Sequence, residues 1–331
     1  MLLSRHLSKA GVRLAAAAVI GLSGLASASA QTKWDMPTPY GDSNFHTVNI
    51  AEFAKDVSDK TGGSLTIQIH SAGSLFKHPE IKNAVRKGLA PIGEVLVSRL
   101  SNEDPVFGVD SVPFVATSYD DAFKLYQASK PFLEKKLGEQ GLQLLFAVPW
   151  PPQGIYAKKD INTIDDLKGL KFRAYNASTE RIAQLAGAVP TQVEVPDLPT
   201  AFSTGRVEAM ITSPSTGANS KAWDYLDHYY DAQAWLPKNM VFVNKKAFDG
   251  LSDAEKAAVM EAAATAETRG WEASKAETAE KTQMLKDNGI TVAAPSEALQ
   301  ASLKEIGATM VVEWQDSAGD DGKAIIEAFS K

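Results

Sequence analysis

The residues best suited to chemistry on a small molecule are an arginine and the helix start that follows it. Arg173 lies near the end of a strand-patterned run from Leu170 to Tyr175, and Asn176-Ala177-Ser178 then supplies N-cap chemistry for a helix expected over Thr179 to Ala186. In open α/β sheets ligands bind beyond the carboxyl ends of the strands, where such helix starts converge. A guanidinium placed there offers two parallel charged hydrogen bonds to a carboxylate, and free helical N–H groups add positive potential. A surface arginine on an edge strand, with Lys171 on the same face, meets the same local pattern, which leaves both readings open. Two tryptophans pose a similar choice. Trp150 lies in Pro149-Trp150-Pro151-Pro152 and Trp235 in Trp235-Leu236-Pro237, and proline pairs cannot continue a ladder. Both runs read as crossings between two halves of the chain, where an indole either lines a cleft or packs a hinge. Trp223, Trp271 and Trp314 fall on helical spacing and read as core or helix-face residues.

Other reactive groupings are absent from the pattern. His46, His70, His78 and His228 show no H-x-x-x-H or H-E-x-x-H spacing, and His78-Pro79-Glu80 reads as a helix start. There is no G-x-S-x-G elbow, no P-loop and no G-x-G-x-x-G after a strand. With no arranged nucleophile or base, the expectation is a binding protein without cofactor or metal, not an enzyme.

The elements that must position Arg173 alternate between helix and strand periods, which reads as α/β with largely parallel sheets. In the first half a helix is expected over Ile50 to Ser58, then strands over Leu65 to Ile69 and Ile92 to Val97, helices over Pro79 to Lys87, Asp120 to Gln127 and Pro131 to Glu139, and a strand over Leu142 to Val148. In the second half Thr163-Ile164-Asp165-Asp166 is a capping box and Gly169 the stop after it. Strands follow at Val189 to Val195 and Val207 to Ile211, with a helix near Leu198 to Ser203, and the Ser213 to Ser220 tract reads as a loop. From Ser252-Asp253-Ala254-Glu255 to Asn288-Gly289 there is no proline, and Gly270 is the only glycine inside that run. Unbroken, this helix would span on the order of 50 Å and bridge two lobes; the competing reading breaks it at Gly270.

The N-terminus carries Arg5, Lys9 and Arg13, an apolar run from Leu14 to Leu25, and Ala28-Ser29-Ala30. That order describes a secretory signal peptide over 1–30, with the mature chain beginning at Gln31. The apolar run is shorter than the roughly 20 residues of a membrane-spanning helix, so no membrane insertion is expected. The chain has no cysteine, hence neither a disulfide framework nor a site for a lipid anchor. A freely diffusing exported protein is retained where an outer membrane encloses it, and the expected location is therefore a Gram-negative periplasm. The formal net charge of −6 argues against nucleic acid as a partner.

Several segments carry a resemblance. They are Asp165-Asp166-Leu167-Lys168-Gly169-Leu170-Lys171-Phe172-Arg173-Ala174-Tyr175-Asn176, Gly187-Ala188-Val189-Pro190-Thr191, Ala201-Phe202-Ser203-Thr204-Gly205-Arg206-Val207-Glu208-Ala209 and Val243-Asn244-Lys245-Lys246. With Thr61-Gly62-Gly63 and Val112-Pro113-Phe114, in this order and spacing, the chain after residue 30 resembles the substrate-binding proteins of TRAP transporters, the DctP family. The resemblance implies a two-lobed, type II-like periplasmic binding protein fold with a hinge between the lobes. Residues 31–150 and 239–277 would form the first lobe, and 151–238 and 278–331 the second. It implies that Arg173 clamps the carboxylate of a small organic acid delivered to permease subunits driven by an ion gradient. A second arginine common in the family falls at Gln153 here, and the asparagine of sialic-acid binders at Ser213. Those departures favour a monocarboxylate, aromatic or hydroxy/oxo, over a dicarboxylate or sialic acid. Neutral contacts would come from Trp150, Trp235, Tyr40 and Phe45, with Asn176 beside the clamp and Glu94 as an acceptor for a hydroxyl or ammonium group. The alternatives are a binding protein of an ABC importer or a sensor, and a periplasmic enzyme on the same fold.

Overall fold

The computed structural model describes residues 31–331, so the expected signal peptide lies outside the described residues. In the first half β1 (Thr32–Pro37), α1 (Phe45–Lys60) and β2 (Leu65–His70) form a parallel unit with Thr32 opposite Leu65. Asn44 caps α1 by accepting the His46 N–H at 3.0 Å, which starts the helix five residues earlier than the apolar stripe alone indicates. α2 (His78–Arg86), β3 (Ile92–Leu96), α3 (Tyr119–Gly138) and β4 (Leu142–Pro149) follow. The two helices expected around Pro131 are one helix. Pro131 and Gln127, whose carbonyl loses its helical donor, are both exposed, so water takes the freed acceptor.

The chain then builds β5 (Gly154–Ala157), β6 (Lys171–Ala174), α4 (Ala177–Leu185), β7 (Val189–Gln192), α5 (Leu198–Ser203), β8 (Ala209–Thr212), α6 (Pro214–Asn219) and β9 (His228–Tyr230). β10 (Lys238–Asn244) returns and inserts antiparallel between β3 and β4. Helices cover this sheet, which is why β4 and β10 read as near-continuous apolar runs. α7 (Lys245–Asp249), α8 (Asp253–Asp287), β11 (Thr291–Ala293) and α9 (Glu297–Ser330) complete the chain. The six-stranded sheet has the order β11-β9-β5-β8-β6-β7. β6 is paired on both sides, and Arg173 is opposite Thr191 on β7 and Met210 on β8. The edge-strand reading of Arg173 is thereby removed.

α8 runs unbroken through Gly270 and joins both halves. Asn49 of α1 donates to the Ala266 carbonyl at 2.9 Å and Trp271 to the Ala147 carbonyl at 3.0 Å, while Ser215 of α6 donates to Glu277 at 2.6 Å. Gly270 is there for close approach: a Cβ would stand 2.3 Å from Cγ2 of Val148 and 2.8 Å from Nδ2 of Asn49. Gly270→Ala is expected to destabilise the fold by about 1–3 kcal/mol despite the better helix propensity of alanine. Denaturant unfolding checks this, and a stability gain would show that β4 yields to the methyl group.

The end of α9 departs from the expected lobe boundary. Its first turns bury Leu299 and Leu303 in a core shared with Ile161 and Leu167 of the second half. Its last turns, beyond the break at Gly319, bury Ile325 beside Phe107, Leu125 and Trp314. The Trp314 indole donates to the Pro105 carbonyl at 2.8 Å, and Asp321 pairs with Lys136 at 3.0 Å. The apolar face of α9 is thus covered by different halves at its two ends. Among the described residues no helix is long and apolar enough to cross a membrane.

Candidate functional site

A cavity with about 380 Å3 of empty space, mouth included, lies at the carboxyl end of β6. Tyr40, His78 and Arg99 line it from the first half, and Arg173, Glu194 and Ser213 from the second, with Trp150 and Gln153 from the crossing.

Arg173 is the chemical centre. It is 2 % exposed, its Nε donates to the Val193 carbonyl at 2.9 Å, and its guanidinium lies 4.7 Å from the Tyr175 ring centroid. Its other nitrogens make no hydrogen bond and no ion pair among the described residues. Burial pulls its pKa down to about 10, so it remains a cation, held in a place that disfavours charge. The strand ends at Ala174 because Asn176 turns the chain: its Oδ1 accepts the Thr179 N–H at 2.9 Å, and Thr179 Oγ1 accepts the Tyr175 N–H at 2.9 Å. A buried fork with its outer N–H groups uncommitted is built to take a planar anion.

The neutral wall is built in two layers. Gln153 accepts the Tyr175 hydroxyl hydrogen at 3.0 Å and donates to the Pro151 carbonyl at 2.9 Å, so it fixes the ring beneath Arg173. Burial pushes Tyr175 up and keeps it neutral. Trp150 and Tyr40 meet edge to face at 5.0 Å, and both donate to Oδ1 of Asn239, at 2.9 and 3.3 Å. The Asn239 amide then donates to Glu94 at 2.8 Å, while Thr38 donates to the other Glu94 oxygen. Glu94 is 1 % exposed and burial raises its pKa to about 7. Ser213 caps α6, its Oγ accepting the Thr216 N–H at 3.0 Å, so the Ser213 to Ser220 tract is a helix and not the expected loop.

Of the residues singled out from sequence, Tyr40, Trp150, Gln153, Arg173 and Ser213 line the cavity. Four do not. Glu94 is 1 % exposed, and its carboxylate accepts the Asn239 amide at 2.8 Å. Asn176 is turned to cap α4 and to donate to Ser98 Oγ at 2.8 Å. Trp235 is 1 % exposed and packs the crossing, where its carbonyl accepts the Gln153 N–H at 3.0 Å. Phe45 packs behind the wall, edge to face with Trp150 at 5.4 Å.

Four participants were missed. Asn239 has no local signature, because its role depends on β10 returning between β3 and β4. His78, Arg99 and Glu194 form a cluster across the cavity mouth. Arg99 Nη1 lies 2.9 Å from Glu194 and donates to the Tyr175 carbonyl at 2.8 Å, and His78 Nδ1 lies 3.5 Å from the other Glu194 oxygen. Burial lowers the His78 pKa, and its Nε2 accepts the Leu96 N–H at 3.1 Å, so the ring is neutral with its proton on Nδ1, facing Glu194. Burial works to raise Glu194, but the His78 hydrogen bond and the charges of Arg99 and Arg173 hold it at about 2. Arg99 follows the strand expected over Ile92 to Val97, the one sequence signal that points to it, whereas Glu194 falls inside the strand expected over Val189 to Val195, which ends at Gln192.

A two-lobed α/β fold closed over one buried, uncommitted cation defines a binding protein for a small anion. The chain belongs to the DctP family of bacterial extracellular solute-binding proteins, family 7, whose model matches residues 40–317, and it is a TRAP-type solute-binding protein. It is 48 % identical to DctP6 of Bordetella pertussis, an extracytoplasmic solute receptor described as binding pyroglutamic acid, with a TM-score of 0.89 over 90 % of this chain and 99 % of that one. DctP7 of the same organism, also described as binding pyroglutamic acid, is 48 % identical with a TM-score of 0.90 over 91 % and 100 %. A marine metagenome TRAP solute-binding protein, solved with co-purified pyroglutamate, is 43 % identical with a TM-score of 0.89 over 91 % and 99 %.

Proposed function

We propose that this protein captures pyroglutamate, or a monocarboxylate of that size, in the periplasm and presents it to the membrane subunits of a TRAP transporter. The observation that carries the reading is Arg173, a buried guanidinium that lines the cavity with its outer N–H groups unpaired. Three similar structures at 43–48 % identity described with pyroglutamate support the ligand class. The basic, apolar and small-residue pattern of the first thirty residues supports export. Ligand exchange needs the cavity to open. The two crossings, joined by the Trp150 N–H to the Pro237 carbonyl at 2.7 Å and the Ala234 N–H to the Gln153 carbonyl at 3.0 Å, are the proposed hinge. On one side lie 31–150, 239–277 and the end of α9; on the other lie 151–238 and the first part of 278–331.

A thermal-shift comparison of organic acids tests this. At about 100 times its Kd a ligand adds roughly 2.7 kcal/mol, a rise of several degrees in Tm for a protein of this size. Pyroglutamate is expected to give such a shift. A shift from hexuronates or aldonates with none from pyroglutamate would overturn the ligand assignment.

A further inference from the structure

The charged groups around the cavity do not sum to zero. Two guanidiniums line it, Arg173 and Arg99, and one carboxylate, Glu194. His78 is spoken for as a neutral ring by the Leu96 amide, and Gln153 carries no charge. Arg99 is committed to Glu194 and to the Tyr175 carbonyl, whereas Arg173 is committed only through its Nε. One positive charge is therefore left over, and an acceptor-only carboxylate lines the same cavity.

We propose that Glu194 is the specificity-determining residue that restricts this site to ligands of one negative charge, by holding a carboxylate on the cavity wall beside the two guanidiniums. A monocarboxylate brings the enclosed charge to zero. A second carboxylate held in the same cavity would face Glu194 with Arg99 already committed, and like charges juxtaposed out of water cost several kcal/mol. The Glu194 carboxylate welcomes a neutral N–H or O–H donor, since its oxygen near His78 has acceptor capacity remaining at 3.5 Å. The inference rests on the proposed carboxylate-binding role of Arg173, and it assigns to Glu194, which none of the sequence patterns marks, the choice among carboxylates.

Calorimetry on the purified chain tests it with pyroglutamate and 2-hydroxyglutarate, whose carbon skeletons match. Wild type is expected to prefer pyroglutamate by roughly a hundredfold or more. In Glu194→Gln the preference is expected to narrow by about tenfold or more, with 2-hydroxyglutarate binding more tightly than to wild type. Glu194→Asp keeps the charge and is expected to restore most of the preference. Equal binding of both acids by wild type overturns the proposal without any variant, as does an unchanged ratio in a folded Glu194→Gln that still binds pyroglutamate. If wild type binds a different monocarboxylate and not pyroglutamate, the ligand assignment fails. The charge rule is then decided by comparing that acid with its dicarboxylate counterpart.

Discussion

Arg173→Ala is expected to lower the affinity for pyroglutamate by roughly a hundred- to a thousandfold. Removing one partner of a buried ion pair leaves the other charge desolvated and unmatched, at about 3–5 kcal/mol, and each 1.4 kcal/mol is about tenfold. No neighbour can substitute. Arg99 is held by Glu194 at 2.9 Å and by the Tyr175 carbonyl, and Gln153 spends both ends of its amide on Tyr175 and Pro151. The same burial gives a second, opposite signature. The folded protein without ligand bears an uncompensated guanidinium at 2 % exposure, which burial has pulled to about 10. Arg173→Met, which keeps the volume and drops the charge, is therefore expected to raise the Tm of the ligand-free protein while abolishing the ligand-induced shift. Binding that survives Arg173→Ala within a factor of three would refute the clamp; a lower Tm in Arg173→Met would show that its bond to Val193 outweighs the cost of burying it.

The second large effect concerns Glu94 and pH. Its folded pKa of about 7 is above the ordinary 4.5, because burial penalises the carboxylate more than Thr38 and Asn239 stabilise it. Below pH 4.5 both folded and unfolded chains hold the proton. Between 4.5 and 7 the unfolded chain releases it and the folded chain keeps it. Stability attributable to this group therefore falls as pH rises through that window and levels off above it, by about 3.5 kcal/mol in total at 1.4 kcal/mol per pH unit. Glu94→Gln lacks the titration. The difference in unfolding free energy between the variant and wild type should grow in favour of the variant from pH 4.5 to 7 and then stay constant. His46 and His78, both lowered by burial, drive stability the other way in both proteins. Urea unfolding at pH 4.5, 6 and 8 measures it; a difference independent of pH would mean that Glu94 ionises in the fold as it does in the open chain.

Glu94 also shows where sequence reasoning stopped. Its place on the strand expected over Ile92 to Val97 was legible, but its partners were not. They depend on β10, which arrives more than 140 residues later and brings the Asn239 amide to the Glu94 carboxylate at 2.8 Å. Asn176 was legible as a cap, and its backbone geometry is as expected. Its amide is claimed by Ser98 of the other half, which no local pattern announces.

By itself the sequence determined the local chemistry: the cap at Asn176, the strand that carries Arg173, the prolines that mark both crossings, and the length of α8 once Gly270 is accepted inside it. Ordered motifs also determined the family, since spacing along the chain survives where individual residues drift. Only the tertiary structure decided that β6 is an interior strand, that Gln153 and Asn239 are spent on holding aromatic rings, and that Arg99, His78 and Glu194 meet across the mouth of the cavity. Helices and caps arise from contacts within a few residues, so they can be read locally. The charge inside the cavity arises from groups that lie far apart in the chain and meet only in the folded protein. Arg173 belongs to both accounts: its place beside a helix start was visible in the sequence, and its want of a partner was made by the fold.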